Sequence, residues 1–243
     1  MNPLAAVSAM MLAAGLTAFA QQLPPDPAAI LKGARMAAAL VRLDNGLEGS
    51  LIKGAKKIPL ALFLKGRNIQ FQFSEVKDAW KVFHLRLDDE ALNLFEMIDG
   101  KMVQFPAAKL VEPIAGTDVT YEDLSMRFLY WPNPQLEGEE SINGFDCYKL
   151  RVDKPKQVSG RYAAVYVWVS RKHGAFIRVQ GYDKGGGLVK EFQVLDVMPL
   201  DGGVWGLKKM QVSTHDPANG RRISITNLVF DGPRQLLRPG GLR

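Results

Sequence analysis

The stretch GTDVTYEDL, residues 116–124, packs Asp118, Glu122 and Asp123 beside Thr117, Thr120 and Tyr121. Acids at this spacing have three uses. They can move protons, hold a cation, or satisfy the unpaired N–H groups where a helix begins. The last use fits the residues best. Thr120 and Asp123 form a Thr-x-x-Asp pair, close to a capping box, in which Glu would be the usual last member. Thr120 then caps a helix. Glu122 and Asp123 fall at its second and third positions, where the positive end of the helix dipole favours carboxylates. Asp118 is expected to cap a preceding turn. Proton transfer would need a partner base or nucleophile, and none stands in the stretch.

Other chemistry-bearing patterns are sparse. There is no Gly-x-Ser-x-Gly elbow. GSLIKGAK at 49–56 imitates a phosphate loop but lacks the Lys-Ser/Thr pair after its second Gly. DKGGGL lies between alternating segments and reads as a hairpin turn. His84, His173 and His215 stand apart, without His-x-x-x-His spacing or paired cysteines. The expectation is a protein that is not an enzyme and takes no metal and no cofactor. Cys147 is the one cysteine. An intramolecular disulfide is excluded, and the thiol in GFDCYKL reads as a buried strand residue.

The elements around these residues follow from periodicity. In LPPDPAAILKGARMAAALVRLDNG, Asp26 can cap a helix with Pro27 at its first position. Ile30, Leu31, Ala34, Ala38 and Val41 recur at helical spacing, and Asn45-Gly46 is the expected stop. From Leu47 to Val103 the period becomes two. NIQFQF sets Ile69, Phe71 and Phe73 on one face and Gln70 and Gln72 on the other. IPLALFLKG sets Leu60, Leu62 and Leu64 against Ala61 and Phe63. AWKVFHLRLDD and EALNLFEMIDGKMVQF read as further strands with turns at Asp88-Asp89 and Asp99-Gly100, giving about six antiparallel strands in this half. A second helix is predicted over Tyr121–Tyr130, closed by Trp131-Pro132. QLEGEESINGFDCYKLRV is a hairpin about Asn143-Gly144. Five more strands surround turns at 172–174, 184–186, 201–203 and 217–220. In YAAVYVWV both faces are apolar, so each must be covered, and the two helices are the expected cover. A meander of about eleven to thirteen strands curls into a barrel or half-barrel.

The whole chain is compatible with one such domain. It has 243 residues, 47% hydrophobic and 23% charged, with a net charge of +6. That is the balance of a globular protein with a sizeable core, and the basic excess is too diffuse to argue nucleic-acid binding. Residues 1–20 carry no charged side chain and end in Ala18-Phe19-Ala20. This reads as a secretory signal cleaved after Ala20, although its start lacks Lys or Arg. It is short for a transmembrane helix. The expected divisions are signal 1–20, a single domain over 21–231, and a disordered basic tail over 232–243.

Together, GTDVTYEDL, LEGEESINGFDCYKLRV, VYVWVSRKHGAFIRVQGYDKGGGLVKEFQV and GLKKMQVSTHDPANGRRISITNLVFD resemble the LolA-like outer-membrane lipoprotein-sorting proteins, in their treponemal-type periplasmic branch. The resemblance covers 116–231; residues 27–105 match it in layout. It implies a mainly β, α+β fold of LolA/LolB type, an unclosed antiparallel half-barrel with a helical lid and an acyl-binding hydrophobic concavity. It also implies a periplasmic carrier of lipid or lipoprotein acyl chains, with envelope membrane proteins as partners and no nucleic acid. Leu62, Phe71, Phe73, Tyr166 and Trp168 are the expected cavity residues. The alternative is a sensor or structural interaction module on the same fold.

Overall fold

The computed structural model describes residues 25–39, 43–65, 68–76, 79–87, 92–200 and 205–233. The expected signal, the turns at 88–89 and 201–203, and residues 234–243 lie outside them. Helix α1 (Pro27–Ala39) begins as its sequence dictates, with Asp26 Oδ1 accepting from the Ala28 N–H at 3.0 Å. It stops before the expected Asn45-Gly46. Those two residues lie inside strand β1 (Leu43–Lys53), where the register with the next strand shifts between Leu43 and Leu47. Gly46 has φ 75°, and a Cβ there would meet the Phe63 ring at 2.7 Å. The glycine serves an irregular strand instead of a helix end.

Six strands occupy the first half: β1, β2 (Lys56–Lys65), β3 (Asn68–Val76), β4 (Ala79–Leu87), β5 (Leu92–Ile98) and β6 (Lys101–Gln104). Seven occupy the second: β7 (Gln135–Ile142), β8 (Phe145–Asp153), β9 (Ala164–Ser170), β10 (Phe176–Tyr182), β11 (Leu188–Pro199), β12 (Trp205–His215) and β13 (Arg222–Pro233). Their order is β6-β5-β4-β3-β2-β1-β13-β12-β11-β10-β9-β8-β7, one antiparallel sheet whose ends do not meet. The chain starts in mid-sheet at β1, steps outward to β6, crosses to the far edge, and steps back until β13 pairs with β1. Asp99-Gly100 and Asn143-Gly144 make the tight turns expected, all four residues having positive φ. β13 continues to Pro233, opposite Leu47, which takes it two residues into the expected tail.

The crossing segment, residues 105–134, holds a 3-10 turn at Ala107–Lys109, another at Ile114–Gly116, helix α2 (Tyr121–Ser125) and a last 3-10 turn at Arg127–Tyr130. The single helix expected over Tyr121–Tyr130 is broken at Met126, whose φ is 42°. The segment lies against one face of the sheet. Tyr121 packs on Phe73 of β3 with ring centroids 6.4 Å apart, and Asp123 accepts a hydrogen bond from Tyr162, just before β9. Seven strand spacings separate β3 from β9, about 34 Å in a flat sheet. Two residues two apart in the chain cannot bridge that distance, so the sheet curls about the segment.

The main core lies between that face and the segment. Phe73, Phe83, Leu85, Leu150, Val165, Val167 and Phe230 from the strands meet Ile114, Tyr121, Phe128 and Trp131 from the crossing. A smaller cluster of Cys147, Trp168 and Ile177 lies apart from it. Among the described residues, no helix covers Trp168. Lys149 Nζ and Arg178 Cζ stand 5.2 and 5.4 Å from its ring, and its Nε1 donates to Glu140 Oε2 at 2.8 Å. The two apolar faces of YAAVYVWV are thus covered differently, one by the crossing segment and α1, the other by the long stems of cationic side chains.

Candidate functional site

The acids of GTDVTYEDL sit where the crossing segment meets the sheet. Thr120 caps α2 as expected: its Oγ1 accepts from the Asp123 N–H at 3.2 Å, and Asp123 Oδ2 accepts from the Thr120 N–H at 2.8 Å. Asp118 does not cap a turn. Its side chain reaches β12 and β13, where Thr214 and Thr226 donate to its carboxylate at 2.7 and 2.8 Å and Ser224 donates as well. Lys53 Nζ lies 3.4 Å from the same carboxylate. Burial alone would raise the Asp118 pKa, but the three hydroxyls and Lys53 outweigh it and hold it below the usual carboxylate range.

Lys190 on β11 completes this arrangement. It is 2% exposed, donates to the Asp118 carbonyl and to Thr214 Oγ1, and lies 3.8 Å from Asp123 Oδ2. Burial depresses its pKa, against the attraction of Asp123. Tyr162 is fully buried beside Asp123, and both burial and that charge raise its pKa well above the phenolic value. Glu122 accepts from the Arg161 N–H at 2.9 Å, and its pKa is raised by burial, an effect that the hydrogen bond only partly offsets. Lys53 and Lys56 add bonds to the carbonyls of Gly116 and Ala115.

This constellation is saturated with hydrogen bonds and turned inward. It fastens residues 115–123 to β1, β2, β11, β12, β13 and the approach to β9. Sequence reasoning found Thr120, Glu122 and Asp123 in their helical positions but missed Lys190, Tyr162 and the three hydroxyls. The one available signal was Lys190 in line with Leu188, Phe192 and Val194 on an apolar face of its strand. Among the described residues, no cluster of three or more His, Cys, Asp or Glu could hold a metal ion.

The apolar face is the second candidate. Phe73 is fully buried, stacked on Phe83 at 5.1 Å. Phe71 and Leu62, cross-strand partners, are half-buried on the same face, as are Leu64 and Ile69 in the next row. Tyr166 and Trp168 belong to the other face, with Cys147. The five expected cavity residues therefore divide three and two between opposite sides, because Val165, Val167 and Val169 are the members of β9 that turn to the main core. Beneath the crossing segment a void lined by Met126, Phe128, Phe176 and Phe192 measures about 10 Å³, room for at most one water.

The resemblance read from the sequence is borne out in the fold. A DUF1329 family protein from Desulfovibrio piger superposes with a TM-score of 0.62 at 20% identity, over 90% of this chain and 96% of that one. An outer membrane lipoprotein-sorting protein domain from Vibrio parahaemolyticus gives 0.62 at 19%, over 88% and 93%. A LolA superfamily protein from Nitrosomonas europaea gives 0.59 at 15%, over 86% and 92%. At these identities the likeness concerns the fold, a LolA-like unclosed sheet. No curated protein matches the chain by sequence. A family model described as "-like: Uncharacterized protein" matches residues 73–236, more than half of the chain, and the protein belongs to that family.

Proposed function

We propose that the protein is a periplasmic carrier that holds an acyl chain, of a lipid or a lipoprotein, against the curled apolar face of its sheet. The observation that carries this reading is the row Leu62, Leu64, Ile69 and Phe71. These four large apolar side chains sit beside the core without being sealed into it. Each methylene moved from water onto such a surface contributes about 0.8 kcal/mol. Support also comes from the fold shared with a lipoprotein-sorting domain, and from the signal-like residues 1–20. The crossing segment fills much of the space, so a long chain enters by displacing part of it. Envelope membrane proteins would supply and accept the cargo.

The 10 Å³ void favours a second reading. On it, the space is permanently filled and the fold is an interaction or sensor module without cargo. Phe71→Glu separates the two. Phe71 is half-buried, so a carboxylate there can stay hydrated, and the variant should fold and lose uptake of a fluorescent fatty acid. Gln70→Glu, on the opposite face, should bind like wild type. A folded Phe71→Glu protein that still takes up the probe would remove the apolar row from the site, and no uptake by wild type would favour the module.

A further inference from the structure

We propose that the indole N–H of Trp131 is a ligand donor, placed to bind the oxyanion head group of a single-chain lipid. The proposal rests on the acyl-chain reading and names the head group which that reading leaves open. Trp131 is 6% exposed, and its Nε1 is buried without a hydrogen-bond partner. Among the described residues the only other buried side-chain N or O atom in that condition is Nε2 of His215, the last residue of β12. Native proteins seldom leave a buried donor unpaired, because the lost hydration is not recovered. Here the ring is well held. The Trp131 main-chain N–H closes the 3-10 turn by donating to the Phe128 carbonyl at 3.2 Å, and the indole meets the Phe128 ring edge-on at 6.5 Å. Phe128 in turn lines the void beneath the crossing segment.

A positive charge stands one residue away. The Arg35 guanidinium of α1 lies 4.8 Å over the ring of Tyr130. With a guanidinium over the ring of the neighbouring Tyr130, the unpaired N–H suits an acceptor oxygen carrying negative charge. A fatty-acid carboxylate and a lipid phosphate share that chemistry. Trp131 follows the last 3-10 turn of the crossing segment, so a head group bound there leaves its chain free to run under the segment along the apolar face. The donor stays unpaired until the segment lifts enough to admit the oxygen.

The test uses the whole chain with dodecanoate, dodecyl phosphate and 1-dodecanol as probes, in wild type and in Trp131→Phe. The variant keeps an aromatic ring and removes only the N–H donor and part of the indole. It should fold with unchanged or higher Tm. Its affinity for the preferred anion should fall about tenfold, the worth of one hydrogen bond to a charged group, while dodecanol binding stays within about twofold. The anion that wild type binds more tightly identifies the head group. A second readout needs no variant: the Trp131 indole resonance of ¹⁵N-labelled wild type should move with the anion and not with dodecanol. If the variant binds both anions like wild type and that resonance stays still, the N–H serves only a water; the proposal falls and the acyl-chain reading stands. If wild type binds none of the three probes, that reading fails and the proposal fails with it.

Discussion

Asp118 and Glu122 stand four residues apart with opposite pH behaviour. Asp118 is held low by three hydroxyls and Lys53, so its ionised form stabilises the fold. That contribution is present above the unfolded carboxylate value, about 4, and is lost as pH falls through the lowered native value. Asp118→Asn should cost about 2 kcal/mol at pH 7, since bonds to a charged acceptor become bonds to a neutral one. In urea unfolding the gap to wild type should close as the solution is acidified; a gap independent of pH would contradict the assignment. Glu122 is the reverse. Its pKa is raised by burial, so folding is opposed by ionisation, and stability is lost as pH rises through the raised value. Glu122→Gln should therefore be as stable as wild type or more stable at pH 7, with no difference below about pH 4. Thr120→Ala should cost about 1 kcal/mol at any pH, the usual loss of a cap. The cap was legible because its members are three residues apart. The Asp118 hydroxyls lie 96 to 108 residues away, and no local pattern connects them.

At the scale of elements, strands and tight turns were legible and the crossing segment was not. Strand alternation and Asn-Gly or Asp-Gly turns are local signals. The break at Met126 is not, since Tyr121–Tyr130 contains no Gly or Pro to announce it. Tertiary bonds impose it: Asp123 and Glu122 must both reach the residues before β9, and Phe128 must meet Tyr162 edge-on at 6.2 Å. Tyr162 is thus the hook that holds α2 to the second half of the sheet. It lies on Gly181 of β10, where an added Cβ would stand 2.4 Å from its ring. Gly181→Ala should push the ring away, break its bond to Asp123, and lower stability by about 2–3 kcal/mol, the range for overpacking plus a lost buried partner. Hydrogen exchange should then rise first in residues 121–130. Uniform loss of protection across all thirteen strands would show that the hook is not local.

For the whole molecule, the sequence indicated a long curled meander with an apolar face but not what occupies that face. Composition cannot distinguish a surface awaiting a ligand from one filled by the chain itself, since both call for the same residues. The crossing segment supplies the filling, and Tyr121 is its central piece. Its ring lies 4.5, 5.3 and 6.4 Å from the centroids of Phe105, Phe83 and Phe73. The segment is fastened on its polar side by Asp118, Asp123 and Lys190, and pressed on its apolar side, through Tyr121, onto β3 and β4. A carrier would use that division, with the polar contacts as a fixed anchor and the apolar contacts as the part that yields. Tyr121→Ala tests it. Removing a buried aromatic side chain should lower stability by about 3–5 kcal/mol through lost burial and the cavity left behind. In a carrier that cavity joins the half-buried row of Leu62 and Phe71, so a fluorescent fatty acid should bind faster and more tightly than to wild type. The bound lipid should also restore part of the lost Tm, because a ligand that binds only the native state stabilises it. In a permanently filled module the same variant should lose stability and gain no uptake, and that outcome would remove the crossing segment from any role in admitting cargo.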